Sequence, residues 1–160
     1  MKCSALFTVA ALVALPGLVW AQDAAPDAEK KPGAHKIVKS DAVMFEPIEV
    51  PGLDAGMEIA VLHGDPMGSE GDYALRLKFP DGYRFPAHYH PRAENMTVLS
   101  GTLLLATGET EDYEAVKTYT PGTFMHIPPE DPHYGGATGE TVVQLHGEAP
   151  FEIILVEPVS

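Results

Sequence analysis

A pair of histidines on an extended segment is the feature that most constrains what this chain can form. The 160-residue chain contains the run GYRFPAHYHPRAENMTVLSG at 82–101, in which His88 and His90 are separated by one residue. Successive side chains of a β-strand point to opposite faces, so residues two apart point the same way. Glu94 follows four residues after His90, and two imidazoles with a nearby carboxylate suit a divalent transition metal. The run therefore predicts a metal site on extended chain.

Short apolar segments separated by turn residues occupy most of the chain after its first quarter. Many short strands at such spacing predict an all-β sandwich or barrel. The predicted strands are 37–45, 57–63, 73–79, 96–99, 102–107, 123–127, 141–146 and 151–156. Segments rich in Gly, including GGATGE at 135–140, are predicted to be turns, and one short helical turn is predicted at 111–116.

Two segments resemble the sequence motifs of the cupin family. The run at 82–101 reduces to G-x5-H-x-H-x3-E-x6-G and resembles the first cupin motif position for position. The segment GTFMHIPPEDPHYGGA at 122–137 resembles the second motif, with His133 at the position of its metal-binding histidine. Two positions depart from that pattern: Glu130 replaces the usual Gly, and Ala137 replaces a frequent Asn.

The resemblance implies an all-β fold, the cupin double-stranded β-helix or jelly roll, as a single domain after a cleaved signal peptide. It further implies that His88, His90, Glu94 and His133 bind one divalent ion and leave one or two metal positions open. These donors suit Mn, Fe or Zn, and the sequence leaves the order open. The inner faces of the roll are predicted to carry Leu75, Leu77, Phe79, Val98, Leu103, Leu105, Phe151, Ile153 and Leu155.

The N-terminus has the pattern of an export signal. Lys2 precedes an apolar stretch at 5–19 that is short for a membrane span, and small or modest residues precede an expected cut before Gln22. We therefore predict a signal peptide at 1–21, a flexible leader at 22–35 and a cupin domain at 36–158. The expected location is periplasmic or secreted, with no membrane segment after cleavage.

Charge narrows the range of partners. The chain carries a formal charge of −13, which repels phosphate backbones, so nucleic acid is not expected as a partner. A small-molecule ligand or substrate is expected instead. The resemblance to single-domain cupins also implies a homodimer formed through sheet edges, with the segment 37–50 as the pairing edge.

Other polar side chains could assist the metal. Gln144 and His146 share one face of a predicted strand, and Arg76 alternates with Leu75 and Leu77. If that polar face lines the cavity, these three residues could orient a ligand or move a proton. His126 is expected to be a packed, hydrogen-bonded residue rather than a ligand.

Three functions are compatible with these patterns. The leading hypothesis is a metal-dependent enzyme, a dioxygenase or an isomerase, that acts on a small organic molecule, with oxygenation as the first choice. The alternative is a non-catalytic module that binds or senses a metal or small ligand. A third is a structural or stress-related exported protein whose motif no longer binds metal. A cavity lined only by apolar groups beyond the metal would favour binding, whereas converging polar groups would favour chemistry.

Overall fold

The computed structural model describes residues 35–156. The predicted signal peptide and most of the predicted leader lie outside the described residues. Within this range a short 3₁₀ turn, Ser40–Ala42, precedes nine strands: β1 (Glu46–Pro47), β2 (Glu58–His63), β3 (Asp72–Phe79), β4 (Arg84–Tyr89), β5 (Glu94–Thr107), β6 (Lys117–Tyr119), β7 (Phe124–Ile127), β8 (His133–Glu148) and β9 (Ile154–Leu155). Within the described range, no helix is long and apolar enough to span a membrane.

Two long strands organise the sheet. β5 and β8 pair in antiparallel fashion from Asn95 opposite His146 to Thr107 opposite His133. The other edge of β8 pairs with β4 near its start and with β3 along its second half. β2 and β1 extend the sheet from β3, β9 pairs with β4, and β6 and β7 pair with β5. Because β5 and β8 each serve different partners at their two ends, the antiparallel sheet curls into the predicted jelly roll.

The core follows from strict alternation along the strands. In β3, Leu75, Leu77 and Phe79 are at most 6% exposed, while Arg76 and Lys78 between them face outward and are only partly covered. Of the nine residues predicted to point inward, seven are buried, and Ile153 and Leu155 are half-buried. Burial of each large apolar side chain contributes on the order of 1.5–3 kcal/mol to folding.

The glycine-rich segment 135–140 differs from its sequence prediction. The segment 135–140 does not form a turn but lies inside β8. A Cβ at Gly135 would collide with the carbonyl of Leu104, and one at Gly136 with the carbonyl of Tyr83. These glycines therefore allow the backbones of β4 and β5 to approach β8 closely, which is a strand role of glycine that resembles a turn in sequence.

Four other predicted elements are corrected. The segments 96–99 and 102–107 are one strand, β5, which bends at Gly101, where φ is +74°. The segment 37–45 is not a strand and does not pair with the sheet. Ile37 in this segment is 82% exposed. No helix forms at 111–116; a turn closed by the Ala115 N–H and the Asp112 carbonyl at 3.0 Å lies there instead.

Candidate metal centre

Three neighbouring pieces of backbone bring four donor side chains together. His88 lies in β4 directly opposite His133, the first residue of β8. His90 follows β4 immediately, and Glu94 is the first residue of β5. The pairing of β4 with β8 shifts register between Phe85 and His88. That bulge sets which face of β4 the histidine occupies.

Each imidazole is oriented by a backbone carbonyl. The Nδ1 atoms lie 2.8 Å from the Pro86 oxygen for His88, 2.7 Å from the Glu152 oxygen for His90, and 3.1 Å from the Asp131 oxygen for His133. A carbonyl can only accept a hydrogen bond, so each Nδ1 carries the proton. Each Nε2 is thereby left with a free lone pair, which is the tautomer that a metal requires.

The free donor atoms converge. One ring nitrogen of each of His88, His90 and His133 lies within 4.8 Å of the others. The Oε2 atom of Glu94 is 3.6 Å from Nε2 of His90 and 3.5 Å from Nε2 of His133. All four side chains are at most 6% exposed. The structure thus brings together the four residues that the two motifs indicate.

Burial keeps these groups uncharged when no ion is bound. It raises the pKa of Glu94 to about 8 and lowers the pKa of His88 to about 3 and that of His90 to about 4. Burial also lowers the pKa of His133. Near pH 7 the carboxyl is therefore protonated and the imidazoles are neutral, so the short distances between them are not ion pairs.

Two of these buried atoms lack any hydrogen-bond partner: Nε2 of His90 and Oε2 of Glu94. Leaving buried polar atoms unpaired costs on the order of 1–3 kcal/mol each. Two ligand atoms that each lie about 2.1 Å from one ion are at most about 4.2 Å apart, and the separations of 3.6 and 3.5 Å between Glu94 and its two histidine neighbours lie within that limit. The donor set therefore fits a divalent transition metal, which would satisfy both unpaired atoms.

A small cavity opens above the donors. Its volume is about 30 Å³, enough for about one or two water molecules. Apart from the four donors, the side chains that line it are apolar, among them Met57, Leu77, Phe85, Met96 and Phe151. On the criterion set by the sequence, this lining favours binding over chemistry that needs a further polar group.

The three assisting candidates do not line that cavity. Arg76 and Gln144 lie on the outer face of the sheet, where the Arg76 Nε donates to Gln144 Oε1 at 3.1 Å. His146 is exposed on the same outer side. Their strand neighbours, such as Leu75 and Leu145, are buried, so alternation sends the polar side chains away from the donors. The premise that their face lines the cavity is wrong.

His126 is not part of the donor cluster. Its Nδ1 is 2.8 Å from Asn95 Oδ1, so it is hydrogen-bonded as expected. The side chain is exposed rather than packed.

Sequence reasoning missed the residues that support the donors from outside. The ring of Phe151 stacks on His90 with a centroid distance of 4.9 Å. The Glu152 carbonyl that orients His90 is 62 residues away in sequence. No local signal could reveal it, whereas the carbonyls that orient His88 and His133 are two residues upstream of each and could have been sought.

A second support is the strap, which we define as residues 108–116 between β5 and β6. Oε1 of Glu111 accepts the Ala87 N–H at 3.0 Å, and the Tyr113 hydroxyl donates to the Phe85 carbonyl at 3.2 Å. The Tyr134 hydroxyl donates to the Asp112 carbonyl at 3.3 Å. The strap thus links β4 to β8, the two strands that carry opposed histidines.

Glu130, which replaces the usual Gly of the second motif, has an unfavourable backbone conformation. Its φ is +60°, a left-handed conformation that glycine adopts without strain. The Glu130 N–H donates to the His90 carbonyl at 2.9 Å, so this turn contacts the backbone of a donor residue.

Comparisons with known proteins agree with this geometry. The Cupin domain family model matches residues 75–153. No curated protein matches the sequence significantly.

Solved structures show the same fold. The polyketide cyclase RemF from Streptomyces resistomycificus is 19% identical with a TM-score of 0.64, and the match covers 79% of this chain and 89% of that one. A candidate acetylacetone dioxygenase from Methylibium petroleiphilum is 16% identical with a TM-score of 0.62, covering 82% and 90%. A cupin 2 conserved barrel domain protein from Rhodopseudomonas palustris is 18% identical with a TM-score of 0.55, covering 74% and 79%.

At these identities the structural likeness establishes the fold, and the family match adds the two motifs on which the donors lie. The chain belongs to the cupin superfamily.

Proposed function

We propose that this chain is an exported, metal-dependent enzyme that oxygenates a small organic molecule. The observation that carries the proposal is the buried set of three imidazole nitrogens and one carboxyl oxygen that faces an apolar cavity. A ferrous ion bound there would supply open positions for a substrate oxygen atom and for dioxygen. The structural likeness to a candidate acetylacetone dioxygenase and to a cyclase supports small-molecule chemistry.

The protein residues have distinct roles in this proposal. Burial keeps His88, His90 and His133 neutral, and the backbone carbonyls that accept their Nδ1–H leave each Nε2 free to bind the ion. Glu94 must lose its proton to bind the ion. The apolar wall excludes water from the donors and leaves a substrate few polar contacts other than the metal.

The choice of oxygenation over isomerisation rests on what lines the cavity. Isomerisation and hydrolysis usually need a side chain that carries a proton to or from the substrate. Among the described residues that line the cavity, the only titratable side chains are the four donors. Oxygenation makes the smallest demand on further acids or bases.

The test is to load the purified protein with Fe(II) under exclusion of air and then measure oxygen consumption with phenols, thiols and diketones. We expect consumption with at least one class and none with the His88→Ala, His90→Ala double variant. Metal analysis of both proteins serves as the control. Loaded protein that consumes no oxygen with any class contradicts the oxygenase proposal.

The alternative, a module that binds a metal and a small ligand without turnover, is favoured by the same apolar lining. It predicts that a ligand binds the loaded protein and is recovered unchanged. Mass spectrometry of the ligand after prolonged incubation distinguishes the two functions.

Export is part of the proposal and rests on the N-terminal sequence pattern. Mass spectrometry of protein from the periplasm or the medium should give an N-terminus at Gln22. Full-length protein found only in the cytoplasm contradicts export.

A further inference from the structure

The metal cavity is too small for an organic substrate. Its volume of about 30 Å³ compares with about 300–1,000 Å³ for typical ligand pockets. If the proposed function is correct, most of the substrate must lie beside this cavity rather than in it.

A second concavity adjoins the first and has a suitable size. Its volume is about 330 Å³, and four of its lining residues, Met57, Leu77, Phe151 and Ile153, also line the metal cavity. We call it the apolar groove. Ile48, Val50 and Met67 form its outer side. The shared wall places the groove directly next to the donors.

The lining defines what the groove can accept. Apart from Glu152, every side chain that lines it is apolar. The groove offers no side chain that pairs with an anion, and the chain as a whole carries a charge of −13. An occupant that matches this surface is uncharged and apolar over most of its length.

We propose that the apolar groove binds the uncharged, apolar part of a small organic molecule, whose oxygen-bearing end passes Met57 and Phe151 to reach the metal donors. The second half of this statement rests on the proposed function, whereas the first half concerns the groove alone.

One wall of the groove also orients a donor. The Phe151 ring stacks on His90 with an interplanar angle of 20°, and the Glu152 carbonyl accepts the His90 Nδ1–H at 2.7 Å. An occupant that presses on this segment therefore changes the setting of His90. Binding in the groove and metal binding should be coupled, and such coupling is reciprocal.

Methionine residues provide reporters at suitable places. Met67 lines only the groove, Met57 lines both concavities, and Met96 lines only the metal cavity. Met44 and Met125 line neither concavity. The full chain labelled with methyl-13C methionine and stripped of metal is titrated with hexan-1-ol, with propan-1-ol and hexanoate as the short and the charged probe.

We expect hexan-1-ol to shift the Met67 and Met57 methyl signals saturably while Met44 and Met125 stay unchanged. Propan-1-ol and hexanoate should bind at least about tenfold more weakly, since each lacks either apolar length or neutrality. Equal shifts at all methionines, no saturable shift, or tighter binding of hexanoate would overturn the inference.

A variant and its control confirm the location. Ile48→Asn places an amide in the groove and should weaken hexan-1-ol binding about tenfold. Val61→Asn, at a residue that is 49% exposed and outside the groove, should not. Unchanged Met96 and Met125 signals show that both variants are folded. An Ile48→Asn protein that binds hexan-1-ol as the parent does would refute the proposed site.

Repeating the titration with Zn²⁺ separates this inference from the proposed function. Binding that occurs without metal and tightens with Zn²⁺ supports both halves of the inference. Binding that Zn²⁺ leaves unchanged keeps the groove but contradicts the passage of the oxygen-bearing end to the donors. A protein that binds hexan-1-ol but no metal ion contradicts only the proposed function.

Discussion

Two segments outside the main ladder meet at Ala87, next to the donor His88, and they hold the metal centre in different ways. The C-terminal segment 150–156 acts through backbone and core: its Val156 N–H donates to the Ala87 carbonyl at 2.9 Å, and Phe151 is only 7% exposed. The strap acts through a surface side chain: Glu111, which is exposed, accepts the Ala87 N–H at 3.0 Å.

The difference indicates which support the site cannot lose. The Phe151 ring and the Glu152 carbonyl, which both contact His90, are part of the core, so their loss also disturbs the fold. An exposed carboxylate that accepts one N–H can be replaced by water. We therefore expect substitutions in the C-terminal segment to lower stability and metal affinity strongly, and substitutions in the strap to lower both only slightly.

Both segments support the metal centre only if the four donors bind one ion, and loss of a donor should have the largest effect on metal affinity. Loss of a residue that hydrogen-bonds a metal ligand typically lowers metal affinity about 10–100-fold. His133→Ala removes a ligand itself, so we expect a larger decrease. His126→Ala, at an exposed histidine outside the cluster, should leave the affinity unchanged. Competition with a chromogenic chelator measures both variants. Similar affinities for both would remove the basis of the comparison.

Phe151→Ala tests the C-terminal side. Truncation of a buried Phe costs about 3–5 kcal/mol, so we expect a decrease of that size in the free energy of unfolding of the metal-free protein. The matched control is Phe124→Ala, because Phe124 is 57% exposed and its loss should change stability by about 0.5 kcal/mol or less. Urea titration followed by circular dichroism gives both values. A small effect at Phe151 would mean that the C-terminal segment is as dispensable as the strap.

The difference between local and distant contacts explains which parts of the site could be predicted from the sequence. His88, His90 and Glu94 are fixed by alternation and by one short motif, so local spacing was sufficient to place them. The burial of Leu75 and Leu77 follows from the same alternation. The Glu152 carbonyl is far from His90 along the chain, and only the fold brings the two together.

Two errors have the same physical origin. Alternation correctly separated Arg76 and Gln144 from the core residues beside them, but it could not say which face of the sheet holds the cavity. Gly135 and Gly136 carry composition typical of a turn, yet they lie in β8 because neighbouring backbones leave no room for a Cβ. Both questions depend on how strands pack against one another, which the order of residues along a single strand does not contain.

Proton release distinguishes the two kinds of metal donor, the histidines and Glu94. Burial holds the histidines in the neutral form, and the lowered pKa values of His88 and His90, about 3 and 4, leave no proton to lose above about pH 5. Burial raises the pKa of Glu94 from 4.5 to about 8, so below pH 8 metal binding must displace its proton. Affinity should therefore rise with pH, by up to about tenfold per unit, and level off above about pH 8.

Calorimetry in buffers of different ionisation enthalpy checks this expectation. We predict release of about one proton per metal ion at pH 6.5 and none well above pH 8. Release of two or more protons at pH 6.5 would show that the histidines are charged in the metal-free protein. In the absence of metal, the raised pKa of Glu94 also predicts that its contribution lowers stability as pH rises from about 4.5 to 8, because only the unfolded state ionises in that window. Glu94→Gln should remove that part of the pH dependence.

The strap is tested by Glu111→Ala, for which the smallest effect is expected. The variant leaves the Ala87 N–H to water, and the bulge that sets His88 loses its outer support. We expect a decrease in metal affinity of at most about tenfold, the lower end for an outer partner, and about 0.5–1.5 kcal/mol in stability. Glu111→Gln keeps an acceptor oxygen and should recover most of the affinity. Glu114→Ala, an exposed acid of the same strap, controls for the change in charge. If Glu111→Ala lowered the free energy of unfolding as much as Phe151→Ala, the strap would belong to the core of the fold, and the distinction between the two supports at Ala87 would fail.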